Sequence, residues 1–194
     1  MPEPTDTRLD ARTVRAWLRR NGVEISDRGR IPSDLIARYE RAHGLDRIPD
    51  DQGRALPLLP HFLHGALLIR TDFSDDDAWL AVIAAVRAPT VEGFTAHIDI
   101  CEDRAFADLP PDRLTAHLPN RHRHSVLFVV DAVTIRNPEH PLVAIGLDVT
   151  QPPVATLRII PSAVQMIENN LTSTKMWFQD FVVQADPDGV LRLY

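Results

Sequence analysis

Five consecutive apolar residues, Val126-Leu127-Phe128-Val129-Val130, constrain this chain more than any other stretch. Side chains of a strand alternate between two faces, so a strand apolar at every position must be covered on both. The feature demands a layered α/β arrangement, and the surrounding sequence supplies its parts. Ala66 to Ile69 form a short apolar strand entering Arg70-Thr71-Asp72-Phe73, and Ser74 is placed to cap a helix carrying Trp79, Ile83 and Val86 on one face. Phe94, Ala96, Ile98 and Ile100 alternate with polar neighbours as a one-sided strand does. Leu109 to Leu118 predicts a short proline-started helix, and Ser125 to Ile135 the strongest strand. The Asn137-Pro138 turn leads to strands at Leu142–Val149 and Thr156–Ile160. Helices follow at Ser162–Leu171 and Thr174–Gln184, then an Asp188-Gly189 turn and a last strand, Val190–Tyr194.

The N-terminal quarter reads differently. Asp10 is a candidate N-cap for a helix with Val14, Trp17 and Leu18 on one face and Gly22 at its stop. On a helical wheel Arg8, Arg12, Arg15 and Arg19 fall on the opposite side. Pro32, Ser33 and Asp34 start a second helix with Leu35, Ile36 and Tyr39 as its apolar face, ending near Gly44. Between the helices lies Arg28-Gly29-Arg30. Residues 45–56 mix Pro, Gly, Asp and Arg without periodicity and are read as a linker. The expected organisation is a two-helix head over residues 8–44, that linker, and an α/β domain over residues 57–194, a mixed sheet with flanking helices.

Charge divides the chain the same way. Residues 7–43 hold nine arginines against five acids, whereas residues 44–194 hold 12 basic and 20 acidic groups, within a net charge of -6. A basic head on an acidic body predicts a polyanionic partner for the head. Two arginines flanking a glycine suit a narrow minor groove: glycine lets the backbone approach the floor, and guanidinium groups enter concentrated negative potential. The lone lysine, Lys175, among 21 basic residues points to an arginine-biased composition as well.

The head resembles the DNA-binding domain of the actinobacterial H-NS-like nucleoid-associated proteins, the xenogeneic silencers that bridge AT-rich DNA. Val14-Arg15-x-Trp17 with Arg20-Asn21-Gly22, Ser26-x-Arg28-Gly29-Arg30-Ile31-Pro32, and Leu35-Ile36-Ala37-x-Tyr39 carry the resemblance. It implies that Arg28, Gly29 and Arg30 enter the minor groove as an AT-hook does, with Arg12, Arg15, Arg19 and Arg20 on phosphates. That family places a β-rich oligomerisation domain before this module, and here nine residues precede it, so bridging is not carried over. Asp27 sets a negative charge beside the loop.

The same two-helix pattern also resembles the peripheral subunit-binding domain of dihydrolipoyl acyltransferases, a protein-docking module. Docking without DNA is the alternative for the head. The body, through LLIRTDFSDDDAW, LFVVD and the IENN helix, is similar to an uncharacterised actinobacterial domain, a resemblance that implies no chemistry.

Catalytic signals in the body are sparse. Asp72, Asp99 and Asp131 each fall near a predicted strand end, where parallel sheets place ligands, with His97 close in sequence. His61 and His64 are three apart, and Arg121 to His124 form a small basic patch read as a solvated loop. No HExxH, CxxC, Gly-rich phosphate loop or nucleophile elbow occurs. Trp177, Phe178 and Phe181 read as helix packing, and Glu168-Asn169-Asn170 as a helix end. The expectation is a DNA-binding protein rather than an enzyme, without cofactor or metal. The body serves sensing or assembly, homo-oligomerisation included. One cysteine, Cys101, excludes an intramolecular disulfide, and neither an apolar leader nor a membrane-length apolar run is present. A cytoplasmic protein acting at the nucleoid is expected.

Overall fold

The computed structural model describes residues 11–43, 47–49, 53, 55–59, 65–118, 125–147, 155–173 and 175–192. By its internal contacts the chain divides into two units, residues 1–61 and 62–194.

In the first unit, helix α1 (Ala11–Arg20) and helix α2 (Ser33–His43) enclose a small core of Val14, Leu18, Ile31 and Tyr39. Trp17, half-buried, meets Tyr39 edge to face with ring centroids 5.6 Å apart. Helix α1 stops at Gly22, whose positive φ of 76° turns the chain so that the Val23 amide donates back to the Leu18 carbonyl. The candidate cap Asp10 lies outside the described residues. The segment read as a linker holds strand β1 (Arg47–Pro49) and all but the last residue of β2 (Ala55–Pro57), paired antiparallel with Ile48 opposite Leu56. Three-residue strands ending in proline carry no alternation to detect, and proline withholds an amide from the ladder. Leu56 and Leu59 are buried.

The second unit is a mixed six-stranded sheet. Strand β3 (Ala66–Arg70) lies between β4 (Ile98–Cys101) and β5 (Val126–Val130), parallel to both. Strand β6 (Leu142–Gly146) runs antiparallel to β5, and β7 (Thr156–Ile159) antiparallel to β6. The short β8 (Val190–Leu191) pairs parallel to β7, giving the order β4-β3-β5-β6-β7-β8. One face packs Leu68, Val126, Phe128, Val130, Leu142 and Ala144 under four helices: α3 (Asp76–Arg87), α5 (Ala132–Arg136), α6 (Val164–Thr172) and α7 (Phe178–Val182). Their alternate neighbours Leu67, Ile69, Leu127, Val129 and Ile145 are also buried, as the unbroken apolar run required. Helix α4 (Pro111–Leu114) lies against β6 in the connection from β4 to β5.

Several boundaries differ from the sequence expectation. Strand β5 ends at Val130, not Ile135. Asp131 accepts from the Val133 and Thr134 amides at 3.1 and 3.0 Å, and Thr134 Oγ1 accepts from the Asp131 amide, a capping box that opens α5. The Ala-Val-Thr-Ile continuation is apolar enough for strand or helix, and the cap decides. Asp75, rather than Ser74, caps α3 by accepting from the Ala78 amide, while Ser74 donates to Asp72. Strand β4 begins at Ile98, four residues late, because a turn closed by the Thr90 amide and Phe94 carbonyl, 2.7 Å apart, leaves Phe94 exposed. Helix α7 begins at Phe178, where Asp180 accepts from the Trp177 amide; Phe178 and Phe181 are buried, but Trp177 is exposed. Glu168 does not end a helix. It is a buried residue inside α6, with Thr172 Oγ1 and the His97 amide donating at 3.3 and 3.5 Å.

Candidate nucleic-acid interface

The segment from Val23 to Ile31 joins α1 to α2 as an ordered loop without regular structure. Half-buried Val23 and Ile25 tether its first half to the small core, and buried Ile31 anchors its end. Between those anchors Arg28, Gly29 and Arg30 are all exposed. The Arg28 amide donates to Ser26 Oγ at 3.4 Å. The guanidinium groups of Arg28 and Arg30 have no hydrogen-bond or ion-pair partner among the described residues. Gly29 has φ of 94°, a conformation that costs other residues about 1–2 kcal/mol. A Cβ there would meet nothing within 4 Å, so backbone conformation and not space requires the glycine.

The four arginines of α1 divide by what they touch. Arg15 donates from Nε to the Ser26 carbonyl at 3.0 Å and from Nη2 to the Gly29 carbonyl at 2.5 Å. Arg19 pairs with the Asp27 carboxylate and donates to the Ile25 carbonyl at 3.2 Å. Arg20 bonds within its own helix, to the Ala16 carbonyl at 3.3 Å. Arg12 is exposed on the first turn. Asp27, the acid beside the loop, is thus matched by Arg19. With both side chains well exposed, that pair contributes little, of order 0–1 kcal/mol.

In the body, the three strand-end acids do not converge. Asp72 follows β3 and Asp131 follows β5 at the carboxyl end of the parallel strands. Asp99 is the second residue of β4, in register with Leu67, about 16 Å of strand away from Asp72. Asp72 is spent on the Ser74 turn, and Asp131 on its helix cap and a bidentate pair with Arg158 at 2.9 and 2.6 Å. Among the described residues no three His, Cys, Asp or Glu side chains stand where they could hold a metal ion. His61, His64 and the Arg121 to His124 patch lie outside the described residues.

Two arginines escaped the sequence reading. Arg70, almost fully buried at the end of β3, donates to the Asp72 and Asp75 carbonyls and to Asp76, with its guanidinium 4.5 Å from the Phe73 ring centre. Arg104 covers the same ring at 4.7 Å. With Trp79, Leu80 and Glu102 these groups line an open cleft of about 390 Å³. The signal was present: an arginine inside an apolar strand must find partners for its charge. Arg158, on β7, is the second.

Cys101 ends β4 and is buried. Burial pushes its thiol above the ordinary range, and the nearby charges of Asp103 and Glu102 push the same way, against a smaller opposing backbone bond at Asp103. Its reaction with a chromogenic disulfide reagent at pH 8 is expected to be slow in the native protein and complete on denaturation, read as absorbance against time. Rapid native reaction would contradict the buried placement.

Two classes of module therefore share the chain: a small helical head carrying an exposed arginine loop, and an α/β sheet domain. Residues 7–42 match the Lsr2 DNA-binding domain, which gives the head a DNA-binding role. Residues 65–194 match the family described as a domain of unknown function, DUF6924, and the chain belongs to that family. Comparison with curated proteins finds no match. Among the described residues no helix is long and apolar enough to cross a membrane. Gly29→Ala is expected to weaken DNA binding by up to about tenfold through the backbone strain it adds, with helicity by circular dichroism unchanged. Unaltered affinity would show that the loop conformation is immaterial.

Proposed function

We propose that the protein binds AT-rich double-stranded DNA at the nucleoid by inserting Arg28-Gly29-Arg30 into the minor groove. The observation that carries this reading is the pair of exposed guanidinium groups, without a partner among the described residues, that flank a glycine of positive φ. Minor-groove width and potential, rather than base edges, supply the preference for AT-rich sequence. Arg12 and Arg20 take the phosphate-positioning role, a term without sequence information. The body serves as a sensing or assembly domain that controls occupancy, and the cleft between Arg70, Phe73 and Arg104 at the carboxyl ends of β3 and β4 supports a sensing role. Self-association of the body would link two weak heads and raise their effective concentration.

The test is fluorescence anisotropy of the full chain on AT-rich and GC-rich duplexes across a salt series. Tighter binding to the AT-rich duplex, falling steeply with salt, is the expected result. No binding to either duplex at low salt would turn the head into a protein-docking module.

A further inference from the structure

We propose that Arg15 is a positioning residue, which sets the Arg28-Gly29-Arg30 loop through its backbone and does not contact nucleic acid. The consequence for DNA rests on the minor-groove reading; the brace itself is a property of the free protein. Three donors of one guanidinium point at backbone carbonyls: Nη1 at Ala11, 3.4 Å away, Nε at Ser26 and Nη2 at Gly29. Ser26 and Gly29 lie on either side of Arg28, so one planar group spans the loop tip and ties it to the first turn of α1. The Ser26 and Gly29 carbonyls belong to a segment without a ladder of its own, where they would otherwise bond water.

The chemistry requires arginine. Its rigid fork presents Nε and Nη2 side by side to two acceptors, while a lysine ammonium is a point donor on a flexible stem. Arg19, one helical turn further, reaches the same loop at Ile25 and Asp27 from the same face of α1. That face is therefore turned onto the loop, and Arg28 and Arg30 stay exposed. A loop ordered before binding avoids the ordering cost when the groove is met. Arg15 contributes by orienting two other arginines, and its own charge is committed to carbonyl oxygens.

The experiment uses the full chain, first without DNA. In 15N-labelled protein, the heteronuclear NOE of Gly29 and its neighbours is expected to match that of α1. It is expected to fall clearly in Arg15→Lys and Arg15→Gln, with the Trp17 and Tyr39 resonances unshifted. Arg15→Lys keeps the charge and the methylene stem, so loss of the head's fold is not what it reads. On duplexes, both variants should lose about tenfold in AT-over-GC selectivity while the slope of log K against log salt moves by less than about 0.5. A phosphate contact behaves otherwise: its loss in Arg15→Gln lowers the slope by about 0.9 and spares selectivity. That pattern, or a loop as ordered in Arg15→Lys as in the wild type, would overturn the proposal. Should the wild-type chain bind neither duplex, the groove reading falls and the loop measurement alone decides whether Arg15 is the brace.

Discussion

Replacing Arg28 and Arg30 together by alanine is expected to abolish the preference for AT-rich DNA and to weaken binding by about 2–6 kcal/mol, at least about thirtyfold in Kd. Both side chains are exposed and have no partner among the described residues, so the substitution removes groove contacts without removing internal ones. Stability should stay within about 0.5 kcal/mol of the wild type. Anisotropy titrations at fixed salt check the first expectation and thermal unfolding the second. Residual binding of the double variant should be equal on AT-rich and GC-rich duplexes, because α1 arginines on phosphates carry no sequence information. Selectivity that survives both substitutions would move the reading away from the loop.

The second large effect lies in the body. Asp131 caps α5 and accepts both branches of Arg158, whose Nη1 also donates to the Pro141 carbonyl at 3.0 Å. One side-chain network thus joins the end of β5, helix α5, and strands β6 and β7. Asp131→Ala removes cap and ion pair together and leaves a partly buried guanidinium short of an acceptor, an expected loss of about 2–3 kcal/mol. Asp131→Asn keeps a competent cap and isolates the charge pair.

The pH dependence separates these terms. Burial pushes the Asp131 carboxyl up, but the hydrogen bonds and charge of Arg158, with the Thr134 bonds, more than offset it and hold the group below its ordinary value. A depressed carboxyl contributes stability above its unfolded pKa of about 4, and that stability is lost as pH falls through the folded value. The difference in Tm between wild type and Asp131→Asn is therefore expected to be full at pH 6 and to shrink below pH 4. A difference as large at pH 2.5 as at pH 6 would contradict the charge-pair assignment.

Much of this was legible in residue order. The Val126–Val130 run demanded a sheet covered on both faces, and the basic head with its Arg-Gly-Arg element stood apart from an acidic body. These signals are local: side-chain alternation, charge count and glycine placement act over a few residues, so neighbours in sequence suffice to express them. Boundaries were less legible where one apolar stretch served either period. Asp131 read as a residue near the end of a strand running on to Ile135, and its cap to Thr134 shows that the strand stops before it and a helix begins.

Sequence by itself determined that the Val126–Val130 run must be buried on both faces and that the positive charge suited to a polyanion sits in the head. Only the tertiary structure decided what each charged group does. The strand-end acids looked alike in sequence, yet register sets Asp99 beside Leu67, far from Asp72 and Asp131. The arginines of α1 also looked alike, yet Arg15 turns onto carbonyls 11 and 14 residues away, while Arg20 stays on its own helix. A charge is satisfied by whatever the fold brings within about 3 Å, and hydrogen-bond energy falls steeply beyond that distance. Its partner is therefore a property of the packed chain and not of its neighbours in sequence.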